Sequence, residues 1–255
     1  MKRKLIITVA LILSFLVFIA VILTSINKRV TRKVAPPKAL IAIVIDDWGY
    51  NLNNLGIIAE IKAPLTCAIL PNLKNSGLLS QRLNNLGFEI ILHLPMEPKE
   101  KYRLEKYTIL KDMDAAEIRN ILNQDLSSIS FVKGVSNHMG SRITEDRLVS
   151  AIVISEVKKR KLYFLDSFVT PKSVCASLAE KIKIRFAKRD IFLDNLDDPG
   201  YIRGQIIKLR NLAKKNGQAV GIGHDRRNTL IALKEALPQL VKSGYKLVFV
   251  SEIAK

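Results

Sequence analysis

The sequence is short of the residues that usually announce a site. It has two cysteines, Cys67 and Cys175, without metal-ligand spacing. Two ordinary buried thiols are expected, a disulfide in an exported domain being the alternative. Acidic side chains are scarce, 23 against 41 Lys and Arg, for a net charge of +18. The excess is spread along the chain. With no basic helix, RNP-like aromatic motif or zinc-finger spacing, it reads as a Lys-rich solvated surface, and no nucleic-acid partner is expected. No Gly-x-Gly-x-x-Gly follows the first apolar run after residue 40, which disfavours a dinucleotide fold. Histidine is also scarce, with three in the whole chain.

Charge is absent from residues 5–25, LIITVALILSFLVFIAVILTS, which follow Lys2-Arg3-Lys4. That run is long enough to cross a bilayer core of roughly 30 Å. It lacks the small-x-small end of a cleaved signal peptide. The expectation is a short basic tail over 1–4 and an uncleaved transmembrane signal anchor over 5–25, a cleaved signal being the alternative. Residues 26–40, with Ala35-Pro36-Pro37, read as a linker, and 41–255 as the folded domain. Lys28, Arg29, Arg32 and Lys33 nearly balance the basic residues before the run, so the positive-inside count is close to tied. A short tail before a large domain places that domain outside the cytoplasm. The expected location is the inner or cytoplasmic membrane, single-pass, with a periplasmic or extracellular domain.

After residue 40, short apolar runs alternate with amphipathic stretches. Strands are predicted over 41–46, 65–70, 88–93, 134–138, 162–166, 191–194, 219–224 and 246–250. Helices are predicted over 73–86, 114–129, 144–161, 201–216 and 228–243, with acidic residues opening 114–129 and glycines closing the last two. This alternation implies an α/β fold with seven or eight mostly parallel strands, a barrel, or alternatively an open doubly wound sheet.

The unusual residues fall at the strand ends. Asp46 and Asp47 end the first run (IAIVIDDWGY), His93 the third, His138 the fourth, Asp166 the fifth, Asp194 the sixth and His224 the seventh. In a parallel barrel these share the C-terminal rim, where barrel active sites form. Singly, each aspartate caps a helix as readily as it serves a site, and a lone histidine is more often structural. Together, Asp and His converging on one rim suggest a divalent metal, zinc first, with one carboxylate binding it and its neighbour free as a base.

These motifs, IVIDDWGYN, a Gly-x-Glu-Ile-x-x-His segment over 87–93, HLPMEP, SNHMGSRIT, LYFLDS and a late GIGH, resemble the polysaccharide deacetylase superfamily, and its divergent branch in particular. The resemblance covers nearly all of 40–253. It implies a distorted (β/α) barrel and metal-assisted hydrolysis of acetyl groups on a glycan, with a cell-envelope polysaccharide or peptidoglycan-like polymer as substrate. Carried over, Asp46 matches the general base, Asp47 and His93 match metal ligands, and His224 matches the general acid. The second histidine of the family's His-x-x-x-His motif is replaced by Glu97. His138 is its first substitute and Glu97 the runner-up. Asn137, Ser141, Arg142, Asp166 and Asp194 are candidates for holding these groups or touching substrate, and Trp48 and Tyr50 for stacking on a sugar. The alternative is a catalytically silent envelope protein that keeps the fold and binds glycan or a partner.

Overall fold

The computed structural model describes residues 2, 6, 7, 11, 13–22 and 36–255. The chain divides into two units, Met1–Pro36 and Pro37–Lys255. In the first, residues 13–22 are helical. Much of the predicted span 5–25 and most of the predicted linker lie outside the described residues. Among the described residues, no helix is long and apolar enough to cross a membrane.

The second unit alternates strands and helices. Its strands are β1 (Leu40–Trp48), β2 (Thr66–Ile69), β3 (Glu89–Met96), β4 (Val132–Met139), β5 (Tyr163–Asp166), β6 (Phe186–Lys188), β7 (Ile191–Phe192), β8 (Gln218–His224) and β9 (Lys246–Val248). Its helices are α1 (Leu55–Ala59), α2 (Ser76–Asn85), α3 (Ala115–Ser127), α4 (Arg147–Lys159), α5 (Cys175–Ile182), α6 (Pro199–Asn216), α7 (Arg227–Lys242) and α8 (Val250–Ile253). All strand pairs are parallel, in the order β6-β5-β4-β3-β2-β1-β8-β7, with β9 beside the first residues of β1. The edge strands β6 and β7 are joined by only Arg189 and Asp190. The sheet must therefore curl until its edges meet, as a distorted (β/α) barrel does.

Strand periodicity explains the two cores. In β1, Ile41, Ile43 and Ile45 belong to the large core that includes helix residues, while Ala42 and Val44 belong to a smaller one. Side chains two apart share a face, so the strand is apolar on both sides. The smaller core joins Ala68, Ile91, Tyr163, Leu165 and Ile222 to Val250 and Ile253. Thus α8 closes the end away from the rim. It lies beside the N-terminal ends of β2 and β3, where Val250 N–H donates to Thr66 Oγ1 and Ser251 N–H to Glu89.

The helix starts follow capping chemistry. Asp114 forms a capping box with Glu117 at α3. Asp146 accepts from Leu148 and Val149 N–H at α4, which begins three residues after the predicted start at 144. Asp198 accepts from Tyr201 N–H at α6, with Pro199 next, and Gly217 closes that helix with a left-handed φ of 81°. β6, α1, α5 and α8 are additions to the predicted elements, and Val250 belongs to α8 rather than to β9. Cys67 and Cys175 are buried and free, as expected.

One close approach in the sheet has a measurable consequence. A Cβ added to Gly134 would lie 2.5 Å from the ring of Tyr163, which is fully buried and donates from its hydroxyl to Glu89 Oε1. Gly134→Ala is expected to destabilise the domain by about 1–3 kcal/mol through overpacking. Urea unfolding checks this, and an unmoved midpoint would contradict the packing described.

Candidate active site

At the end of β1, Asp46 continues the inward series of Ala42 and Val44. Regular alternation would send Asp47 to the other face. Instead Asp47 takes a left-handed φ of 66°, and the pairing with β2 shifts register between Ile45 and Trp48. Aspartate is among the few residues that adopt this conformation readily, and the irregularity re-aims its side chain. Both carboxylates consequently reach one atom: His93 Nε2 lies 3.5 Å from Asp46 Oδ2 and 3.4 Å from Asp47 Oδ1. Gly49, with a φ of 139°, completes the turn where a Cβ would lie 2.9 Å from Leu73 Cδ1. Trp48 is fully buried. The expectation that it stacks on a sugar is corrected, because its ring anchors the bulge in the core.

His93 and His138 meet edge to face, with ring centroids 5.0 Å apart. His93 is paired in register with Ser136, whose hydroxyl lies 2.8 Å from His93 Nδ1. That contact leaves Nε2 facing the carboxylates. His138 Nδ1 lies 3.0 Å from Asp47 Oδ1. One donor atom each from Asp47, His93 and His138 lies within 4.8 Å of the others. Asp47 Oδ1, Asp46 Oδ1 and His138 Nε2 are buried without a hydrogen-bond partner. Close donor atoms that do not align with one another, in an Asp-His-His set, fit a metal cation.

The two carboxylates are driven apart electrostatically. Burial, reinforced by the Asp47 charge, holds Asp46 above the usual carboxylate range despite the three nearby histidines. Burial also acts on Asp47, but His138 and His93 outweigh it and hold its pKa well below that range. One member of the pair is therefore the readier proton acceptor, and the other stays ionised.

His224 ends β8, in register with Asp46 on β1. Asp194, fully buried, lies 2.8 Å from His224 Nδ1 through Oδ1 and accepts from His224 N–H and Thr229 Oγ1 through Oδ2. Burial disfavours the imidazolium, yet Asp194 raises the pKa of His224 above its ordinary value. Of the alternatives open for Asp194, this geometry shows the contact with His224.

The remaining candidates surround these groups. Glu97 pairs with Arg142 at 2.9 Å and accepts from Lys111 N–H. It is absent from the ligand cluster, where His138 stands instead. Arg142 is thereby engaged in holding the loop after β3. Ser141 accepts from Lys99 N–H and donates to Glu100. Asn137 bridges Met139 O and Ser167 N–H. Asp166 accepts from Phe168 N–H and Ser173 Oγ, so it fixes the loop after β5. Tyr50 is half-exposed and donates to Glu105. Ser136 and Thr229 escape a reading of the sequence, because only strand register and helix placement bring them to His93 and Asp194.

Comparisons with known proteins agree with the fold. The uncharacterized protein YibQ of Escherichia coli K12 is 31% identical over 200 residues, covering 78% of this chain and 63% of that protein. The aligned region thus spans less than two thirds of that relative. A solved structure of an uncharacterized protein from Agrobacterium tumefaciens C58 superposes with a TM-score of 0.82 at 23% identity, covering 86% of this chain and 90% of the other. The Bc1960 peptidoglycan N-acetylglucosamine deacetylase superposes with a TM-score of 0.53 at 14% identity, over 83% of this chain and 86% of that one. The divergent polysaccharide deacetylase family matches residues 43–254, from the strand that carries Asp46 and Asp47 to the helix that closes the barrel. With the barrel and its Asp-Asp and histidine rim in place, the chain belongs to that family.

Proposed function

We propose that this protein is a membrane-anchored, extracytoplasmic, metal-dependent hydrolase that removes acetyl groups from a cell-envelope polysaccharide. The observation that carries the proposal is the Asp47-His93-His138 cluster with Asp46 beside it. Asp47, His93 and His138 would hold the ion, zinc by preference for this donor set. A divalent ion there supplies Lewis-acid polarisation of the acetyl carbonyl. Asp46 takes the proton of the attacking water as that water bonds to the carbonyl carbon. Ser136 orients His93. His224, kept protonated by Asp194, gives its proton to the leaving nitrogen or oxygen as the C–N or C–O bond breaks. The products are acetate and the free amine or hydroxyl. The sequence supports the anchor through the uncharged run 5–25. Within it, Phe15, Val17 and Phe18 leave more than half of their surface exposed.

A second reading is a silent glycan-binding protein. The replacement of a family histidine by Glu97, tied to Arg142 and not to the cluster, favours it. The full-length chain in detergent, assayed for acetate release from N-acetylated peptidoglycan strands and O-acetylated glycans, separates the two. Zinc-dependent release abolished by a chelator is expected. Stoichiometric zinc without release from either polymer class would overturn the hydrolase reading.

A further inference from the structure

His224 is held by more than Asp194. Phe192 in β7 is paired with Ile222 in β8, so His224 is its diagonal neighbour on the same face. The Phe192 and His224 rings stack at 17°, with centroids 6.0 Å apart. The phenyl ring also meets Arg189, whose Cζ lies 3.6 Å from the Phe192 centroid. Its guanidinium is fixed in turn, since Nε donates to Ser167 O at 2.7 Å and Nη2 to Phe168 O at 2.6 Å. Arg189 belongs to the two-residue connection between the edge strands β6 and β7.

We infer that Phe192, clamped by Arg189, is a positioning residue that fixes the plane of the His224 ring so that its Nδ1 stays on Asp194. A histidine with one hydrogen-bonded nitrogen can still swing about that bond. A flat surface against the ring face removes that freedom, and Phe192 offers one that a cation favours. Arg189 supplies rigidity because a planar guanidinium both stacks and donates in fixed directions, which a lysine ammonium does not reproduce. The seam where the sheet edges meet thereby orders the acid.

This inference rests on reading His224 as the acid, and its test is arranged to fail separately from that reading. The probe is the proton NMR signal of the ring Nδ1–H groups in the full-length chain, simplified by the three histidines of the sequence. The His224 signal is identified by its loss in His224→Gln. Wild type is expected to show a protected His224 Nδ1–H. Phe192→Leu and Arg189→Lys should broaden or lose it, and Phe192→Tyr should restore it. In acetate-release kinetics, Phe192→Leu should lower kcat about tenfold with KM little changed, since misplacement of a catalytic group acts on the chemical step. An unaltered His224 Nδ1–H in folded Phe192→Leu and Arg189→Lys overturns the inference. A signal lost in both and restored by Phe192→Tyr supports it even if wild type releases no acetate, in which case the hydrolase reading alone fails.

Discussion

Asp46→Asn is expected to keep the metal and lose about 10²- to 10⁴-fold in kcat, the usual worth of a positioned general base. The substitution keeps the shape of the side chain and removes its ability to take a proton. Asp46 is separated from the ligand role by the bulge that turns Asp47 towards His93 and His138. Burial and the Asp47 charge raise its pKa. The base works ionised, so activity should rise with pH through an acidic limb as Asp46 gives up its proton. That limb should vanish in the variant. Metal analysis beside the kcat profile checks both halves, and a variant that keeps wild-type turnover contradicts the assignment.

Asp194→Asn carries the other large effect. Asp194 raises the pKa of His224 by hydrogen bond and charge, against the opposing effect of burial. The acid works protonated. Without the carboxylate, the alkaline limb of kcat moves to lower pH, and the loss deepens as pH rises. A fall of about 10²- to 10⁴-fold is expected, as for other orienting aspartates behind a catalytic histidine. An unshifted alkaline limb would contradict a role for the pair in proton donation.

The sequence makes much of this architecture legible. Apolar runs ending in Asp or His mark six of the strands, and their order matches the family motifs. The Asp-Asp pair is readable as a unit because two adjacent carboxylates need a reason. How both reach the same histidine is not readable, since period-2 alternation forbids it and only a left-handed φ at Asp47 permits it. Trp48 is misjudged for a related reason: an aromatic next to a site looks available until the bulge buries it. Glu97 and His138 compete in the sequence as third ligand. The competition is resolved by tertiary placement, because Arg142 and Lys111 draw the glutamate to the outer loop. β6 is missed because three residues of edge strand carry too little periodicity to register. The Arg189–Phe192 clamp is invisible for the same reason, and it depends on the sheet curling until residues 189–192 link its two edges.

The proposed reaction depends above all on which residues hold the metal. Zinc content of the purified full-length chain, measured for wild type, His138→Ala and Glu97→Gln under the same dialysis, tests it most directly. One equivalent in wild type and in Glu97→Gln, with loss in His138→Ala, is the predicted pattern. Zinc retained by His138→Ala and lost by Glu97→Gln would contradict it.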